Sequence, residues 1–173
     1  MTEREIQNIL FGWATNKGHQ LVVPNCGVNG WEADLLSVTA ANFLNEYEIK
    51  TNKKDYNADF KKSKHRYLKS ETKGRRQWSR PNYFWFVLDF VGARDIEVPD
   101  YAGLITIDHD LLRPVVRKPA PKIHVEPIGD RTRGYLERGL MYRYWKARIR
   151  RRKHNEPGRE RSDIGVVGEA HRG

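Results

Sequence analysis

The spacing of apolar and polar residues divides the chain into alternating helical and extended segments. Ile6, Ile9, Leu10 and Trp13 stand at i, i+3, i+4 and i+7, which predicts a helix over residues 2–16 with one buried stripe. Thr2 and Glu5 have capping-box spacing at its start, and Asn16-Lys17-Gly18 stops it. Residues 19–23 (HQLVV) read as a strand closed by Pro24, and residues 26–30 as a turn carrying the strong Asn29-Gly30 signal. Two alternating segments follow, 31–38 (WEADLLSV) and 43–50 (FLNEYEIK), joined by a short link, as in a hairpin. Residues 55–69 predict a helix with Tyr56, Phe60, Ser63 and Tyr67 inward and Asp55 capping its start. The continuous apolar run 83–90 (YFWFVLDF) has the length of a central strand covered on both faces. Shorter strands are expected at 104–107, at a proline-flanked edge over 115–117, and at 123–125. A last helix over about 132–152 offers Tyr135, Leu136, Leu140, Met141, Tyr144, Trp145 and Ile149 as a broad apolar face.

Strands before and after a central helix predict an α/β fold, a mixed sheet with helices on both sides. The expected organisation is one domain over residues 1–130, a basic C-terminal helix over 131–154 packed on it or extending it, and a loose polar tail over 155–173. A length of 173 residues is enough for such a core.

Charge changes the picture more than size does. The formal net charge is +10, and from Lys50 to Arg80 twelve Lys and Arg face three acids. One-signed repulsion of that kind points to a polyanionic partner, nucleic acid before membrane. Candidate phosphate contacts are Lys53, Lys54, Lys61, Lys62, Lys64 and His65, with Arg75, Arg76 and Trp78 combining charge and a stacking surface. Arg143, Lys146 and Arg150 continue the series on the last helix, which carries no acid between Arg143 and Lys153. The single cysteine, Cys26, excludes an internal disulfide framework and fits a reducing, cytoplasmic setting. The opening TEREI is unlike a secretory leader, and no apolar run reaches membrane-span length.

The chemistry concentrates in the hairpin. Alternation puts Glu32 and Asp34 on one face of the first strand, and Glu46, Glu48 and Lys50 on one face of the second. Antiparallel pairing brings these groups together. Carboxylates this close repel one another unless protonated or bridged by a cation, and hard oxygen ligands suit Mg²⁺ or Mn²⁺. A lysine beside them orients water or stabilises charge developing on phosphate. A solvated acidic face, or a simple Glu48–Lys50 surface pair, is the competing explanation.

Asp34 followed by Glu48-Ile49-Lys50 resembles the D…(D/E)-x-K signature of the restriction-endonuclease-like nuclease superfamily. The string EYEIKTNKKDYNADFKKSKH and the later VPDYAGLI are similar to small MmcB-like DNA-repair and phage members. The resemblance covers about residues 2–108 and implies an αβββαβ core and metal-dependent cleavage of DNA. It implies Asp34, Glu48 and the Ile49 carbonyl as ligands of Mg²⁺ or Mn²⁺, and Lys50 as the group that positions water. A first-helix acid joins the site in many members; here that maps to Glu5, less well to Glu3, and the cap competes for Glu5. Glu46 is a further ligand or an orienter of one, and Glu32 stands further out. The usual proline before the first acid is replaced by Ala33. A homodimer would allow two sites to cut both strands. A catalytically silent nucleic-acid-binding protein of the same fold, and a phage accessory protein binding RNA or protein, are the other readings.

Overall fold

The structure is a computed structural model, and it describes residues 1–28, 30–69 and 80–155, with side chains as far as residue 150. Asn29, Arg75, Arg76, Trp78 and the tail beyond residue 155 lie outside the described residues. The elements are α1 (Glu3–Asn16), β1 (Leu21–Gly27), β2 (Glu32–Val38), β3 (Leu44–Lys50), α2 (Lys53–Asp59), α3 (Lys64–Lys69), β4 (Tyr83–Leu88), β5 (Ala102–Asp108), β6 (Arg113–Lys118) and α4 (Asp130–Asn155). A 3₁₀ turn, Ala93–Asp95, lies between β4 and β5. By compactness the chain divides into two units, Met1–Arg138 and Gly139–Gly173.

The first unit holds one six-stranded mixed sheet in the order β1-β2-β3-β4-β5-β6. Pairings β1–β2, β2–β3 and β5–β6 are antiparallel, and β3–β4 and β4–β5 are parallel. The mixed sheet flanked by helices bears out the α/β expectation. Side chains alternate across the two central strands and so build two cores. On one face Leu35, Tyr47, Ile49, Val87 and Ile105 pack with Ile6, Leu10 and Ala14 of α1. On the other, Phe84, Phe86, Leu88 and Leu104 pack with Tyr56 of α2 and Leu68 of α3. Each fully buried large side chain contributes about 1.5–3 kcal/mol.

Local chemistry explains most boundaries. Thr2 and Glu5 form the expected capping box on α1. Gly18, at φ 79°, closes the helix while the His19 N–H returns to the Ala14 carbonyl at 3.0 Å. β1 runs on through Pro24 to Gly27 instead of stopping at Val23, because an edge strand does not need the missing proline N–H. Gly103 lies so close to Trp85 and the Ala120 main chain that a Cβ would stand 2.5 Å and 2.6 Å from them.

Further expectations are corrected. The helix over 55–69 is two short helices, α2 and α3, with a turn between that lets lysines fold inward; Phe60 and Tyr67 are partly exposed while Asp59, Lys64 and His65 are buried. Asn52, not Asp55, caps α2, its side chain accepting the Asp55 N–H at 2.8 Å. Residues 123–125 form no strand: the Ile123 N–H donates to the Asn82 carbonyl, and the Asn82 side chain binds the His124 and Glu126 carbonyls. In α4 only Leu136 of the expected apolar face is fully buried, and Tyr135, Met141, Tyr144, Trp145 and Ile149 are each about half exposed. Within the described residues no helix is long and apolar enough to cross a membrane.

Candidate functional site

The hairpin of β2 and β3 places Asp34, Glu48 and Lys50 together. Hydrogen-bonded pairing runs from Val38↔Leu44 to Leu35↔Tyr47, and the same register sets Asp34 opposite Glu48. There the two strands part. Asp34 Oδ2 accepts the Ile49 N–H at 2.7 Å. A strand residue's N–H and C=O point to the same side, so the Ile49 carbonyl also faces the gap beside Asp34. From α1, Gln7 Nε2 donates to the Asp34 carbonyl and to Asn25 Oδ1, each at 2.8 Å, with Glu3 Oε1 3.0 Å away. Asn25, which the register sets opposite Asp34, has a left-handed φ of 47°. Asp34 is therefore fixed through both its main chain and its side chain.

Parallel pairing aligns Glu48 with Phe86 and Lys50 with Leu88, so the charged groups face the layer of α2 and α3. A cleft of about 300 Å³ opens there between Glu3, Asp34, Lys50, Asp55, Asp59 and Lys62. Lys50 Nζ donates to Glu48 Oε1 at 2.5 Å and lies 3.9 Å from Asp34 Oδ2 and 3.6 Å from Asp59 Oδ1. Lys62 Nζ contacts Asp59 Oδ1 and sits 3.2 Å from Glu48 Oε1. Lys64 Nζ contacts Glu48 Oε2 and lies 3.3 Å from Asp59 Oδ2. Glu48 and Asp59 are thus two buried carboxylates caged by three ammonium groups, whose attraction offsets the cost of burying the negative charge.

The environment shifts the acids in opposite directions. Burial, then the neighbouring Glu48, raises the Asp34 pKa to about 6, with the Ile49 N–H and Lys50 acting against them. Burial pushes Asp59 the same way, but hydrogen bonds from His65 and Lys62 and the charge of Lys64 win and hold it well below the usual carboxylate range. Burial opposes the charge on Lys50, yet Glu48, Asp34 and Asp59 raise its pKa above that of an ordinary lysine.

Other expected site residues fall elsewhere. Glu5 Oε2 accepts from Thr2 N at 2.7 Å and Thr2 Oγ1 at 3.0 Å, whereas Glu3 lines the cleft. Glu46 shares the face of Glu48 but is fully buried, with Oε1 accepting the Trp31 indole N–H at 2.7 Å. Lys53, Lys54 and Lys61 are exposed. Lys64 and His65 are not surface phosphate contacts: Lys64 is 2% exposed on the two acids, and His65 is 4% exposed with both ring nitrogens engaged. Arg143, Lys146 and Arg150 are exposed on α4. Sequence reasoning missed Asp59, Gln7 and Tyr101. The one signal for Asp59 was an acid set among Lys61, Lys62 and Lys64.

The donor set has the chemistry of a hard divalent cation. Asp34, Glu48 and the Ile49 carbonyl offer oxygen alone, and Mg²⁺ typically takes one or two carboxylates and keeps several waters. Glu48 Oε2 and Asp59 Oδ1 are buried acceptors reached by lysine ammonium groups, Lys64 at the first and Lys62 at the second. Among the described residues, however, no group of three or more His, Cys, Asp or Glu is arranged as a metal site. A cation would have to be held through two side chains, with Lys50 giving up part of its contact with Glu48.

No family model matches the chain, and neither does any curated protein. Among solved structures it is similar to a protein of unknown function from Silicibacter pomeroyi, with a TM-score of 0.62 and 15% identity over 92% of this chain and 97% of that one. The likeness is one of fold.

Proposed function

We propose that this protein is a metal-dependent endonuclease of the restriction-endonuclease-like superfamily, hydrolysing DNA phosphodiester bonds with Mg²⁺ or Mn²⁺. The observation that carries the reading is the meeting of Asp34, Glu48 and Lys50 where β2 and β3 part, beside an open cleft. The helix, three-strand meander, helical crossover and parallel strand of α1 to β4 are in keeping with that superfamily's core.

Asp34 and Glu48, with the Ile49 carbonyl, would hold the cation. When bound, it supplies positive charge to the scissile phosphate and lowers the pKa of the attacking water. Lys50 orients that water or stabilises charge on the pentavalent phosphorus. Gln7 and the Ile49 N–H keep Asp34 in place, and limiting its motion preserves reacting geometry. The exposed lysines of α2 and the turn after it, with Arg143, Lys146 and Arg150, contact the phosphate backbone without reading sequence.

A second reading, a nucleic-acid-binding accessory protein without turnover, draws on a different observation. Glu48 is 1% exposed behind Lys50, Lys62 and Lys64, so its charge is already compensated. A cleavage panel of duplex, single strand, flap, fork and four-way junction, with and without Mn²⁺, decides between them. Cleavage that needs the metal and disappears in Asp34→Ala supports the nuclease; metal-independent binding with no cleavage of any substrate supports the accessory role.

A further inference from the structure

Asp59 stands at the centre of a polar chain that the roles above leave unused. Its Oδ2 receives His65 Nε2 at 2.7 Å, and His65 Nδ1 lies 2.7 Å from the Tyr101 hydroxyl. The carboxylate requires the proton on Nε2, and in that tautomer Tyr101 donates to Nδ1. The imidazole packs against two neighbouring rings, Phe86, stacked at 6.0 Å, and Phe60 at 5.1 Å. Asp59 is therefore oriented from behind by a packed ring and a phenol, and its side chain is fully buried. Its other oxygen, Oδ1, faces the cleft and meets Lys62 and Lys50.

The three lysines are not equivalent. Lys64 is sealed in, its side chain 3% exposed and its ammonium 5.5 Å from the Phe84 ring centre, so it neutralises the acids from the closed side. Lys62 is 56% exposed and lines the cleft with Lys50. An ammonium has three donors. Lys62 directs two of them at Glu48 and Asp59, and Lys50 makes its close contact with Glu48 alone. Donors remain on both for an anion in the cleft.

We propose that Asp59, held by His65 and Tyr101, is a positioning residue that sets Lys62 beside Lys50 as a two-ammonium receptor for one phosphate of the nucleic-acid substrate. The proposal rests on the nucleic-acid reading of the site but not on turnover. It makes an unusual demand: removing a negative charge must weaken the binding of a polyanion. An Asp59 that acts only through its charge gives the opposite result, because neutralising it makes the site more positive.

The test is binding of a short labelled DNA duplex in EDTA, across a salt series, by the wild type and by Asp59→Asn, Tyr101→Phe, Lys62→Met and, as control, the exposed Lys61→Met. Thermal melts accompany each variant. Lys62→Met is expected to flatten the log–log salt slope by about one, the loss of one phosphate contact. Asp59→Asn and Tyr101→Phe are expected to weaken binding severalfold and flatten the slope in the same sense. Should Asp59→Asn not fold, Tyr101→Phe carries the decision, since it keeps the ring and every charge. Unchanged or tighter binding by folded Asp59→Asn, or by Tyr101→Phe in its absence, overturns the proposal, as does a wild-type slope in Lys62→Met. A wild type that binds but cuts nothing with Mg²⁺ or Mn²⁺ ends the nuclease reading, and this receptor is then still decided by the same variants.

Discussion

The Asp34 carboxylate accepts the Ile49 main-chain N–H at 2.7 Å, so a side chain of β2 takes a hydrogen bond that the strand ladder would otherwise make. The substitution holds the two strand ends apart. It also buries a carboxylate beside another, and that repulsion has a consequence for stability.

Asp34→Asn keeps an acceptor for the Ile49 N–H and removes the charge. The wild-type Asp34 pKa is raised from 3.8 to about 6, so the folded state binds the extra proton between those values and stability falls as pH rises through them. Asp34→Asn is therefore expected to be more stable than the wild type at pH 7, by about 1–3 kcal/mol, with the gain disappearing in acid. Urea titrations at both pH values check this. In the cleavage assay the same variant is expected to be inactive.

Asp59 predicts the opposite sign. Its pKa is held below the ordinary value of 3.8, so its contribution is complete above that value and is lost as pH falls through and below it. Removing one partner from a buried ion cluster costs about 3–5 kcal/mol. Asp59→Ala should show that loss at pH 7 and a smaller one in acid, read from the same titrations.

Much of this was legible in the sequence, and the failures have physical causes. Alternation in EADL and EYEIK showed which side chains share a face, so the meeting of residues 34, 48 and 50 followed from pairing alone. The stripe of α1 and the central position of β4 followed equally from their periods. The helix over 55–69 went wrong because its lysines were all read as outward-facing phosphate contacts. Buried acids draw Lys64 inward, and tertiary pairing overrides periodicity there. Asp59 was missed for the same reason, since nothing local distinguishes a helix-surface aspartate from one turned toward β3. Pro24 was read as a stop because its edge position is a property of the sheet, not of the segment.

Glu3 and Glu5 separate by position. Glu5→Ala removes the capping box and is expected to lower thermal stability slightly while leaving cleavage unchanged. Glu3→Ala alters the cleft wall that contributes to the Asp34 shift, and should change cleavage more than folding. Melting curves and initial rates for the pair check the assignment; a Glu5→Ala protein that folds and does not cut would reverse it.

Gly103→Ala tests the packing of β5 on β4. The added Cβ meets the Trp85 ring at 2.5 Å and the Ala120 amide at 2.6 Å, and backbone gives way less easily than a flexible side chain. A loss of about 1–3 kcal/mol is expected, measured by chemical denaturation.

On α4, replacing Arg143, Lys146 and Arg150 together by glutamine should weaken DNA binding uniformly across sequences. If each meets one phosphate, the salt slope falls by about three, with no change in metal dependence. Fluorescence anisotropy across a salt series gives the slope.

The central claim is that residues 34, 48 and 50 act together on a phosphodiester. It is tested most directly by incubating DNA with purified wild type and with Lys50→Ala, in Mn²⁺ and in EDTA. The account predicts cleavage by the wild type in Mn²⁺ only, and none by Lys50→Ala although it still binds DNA. Cleavage by Lys50→Ala at the wild-type rate, or by the wild type in EDTA, would contradict it.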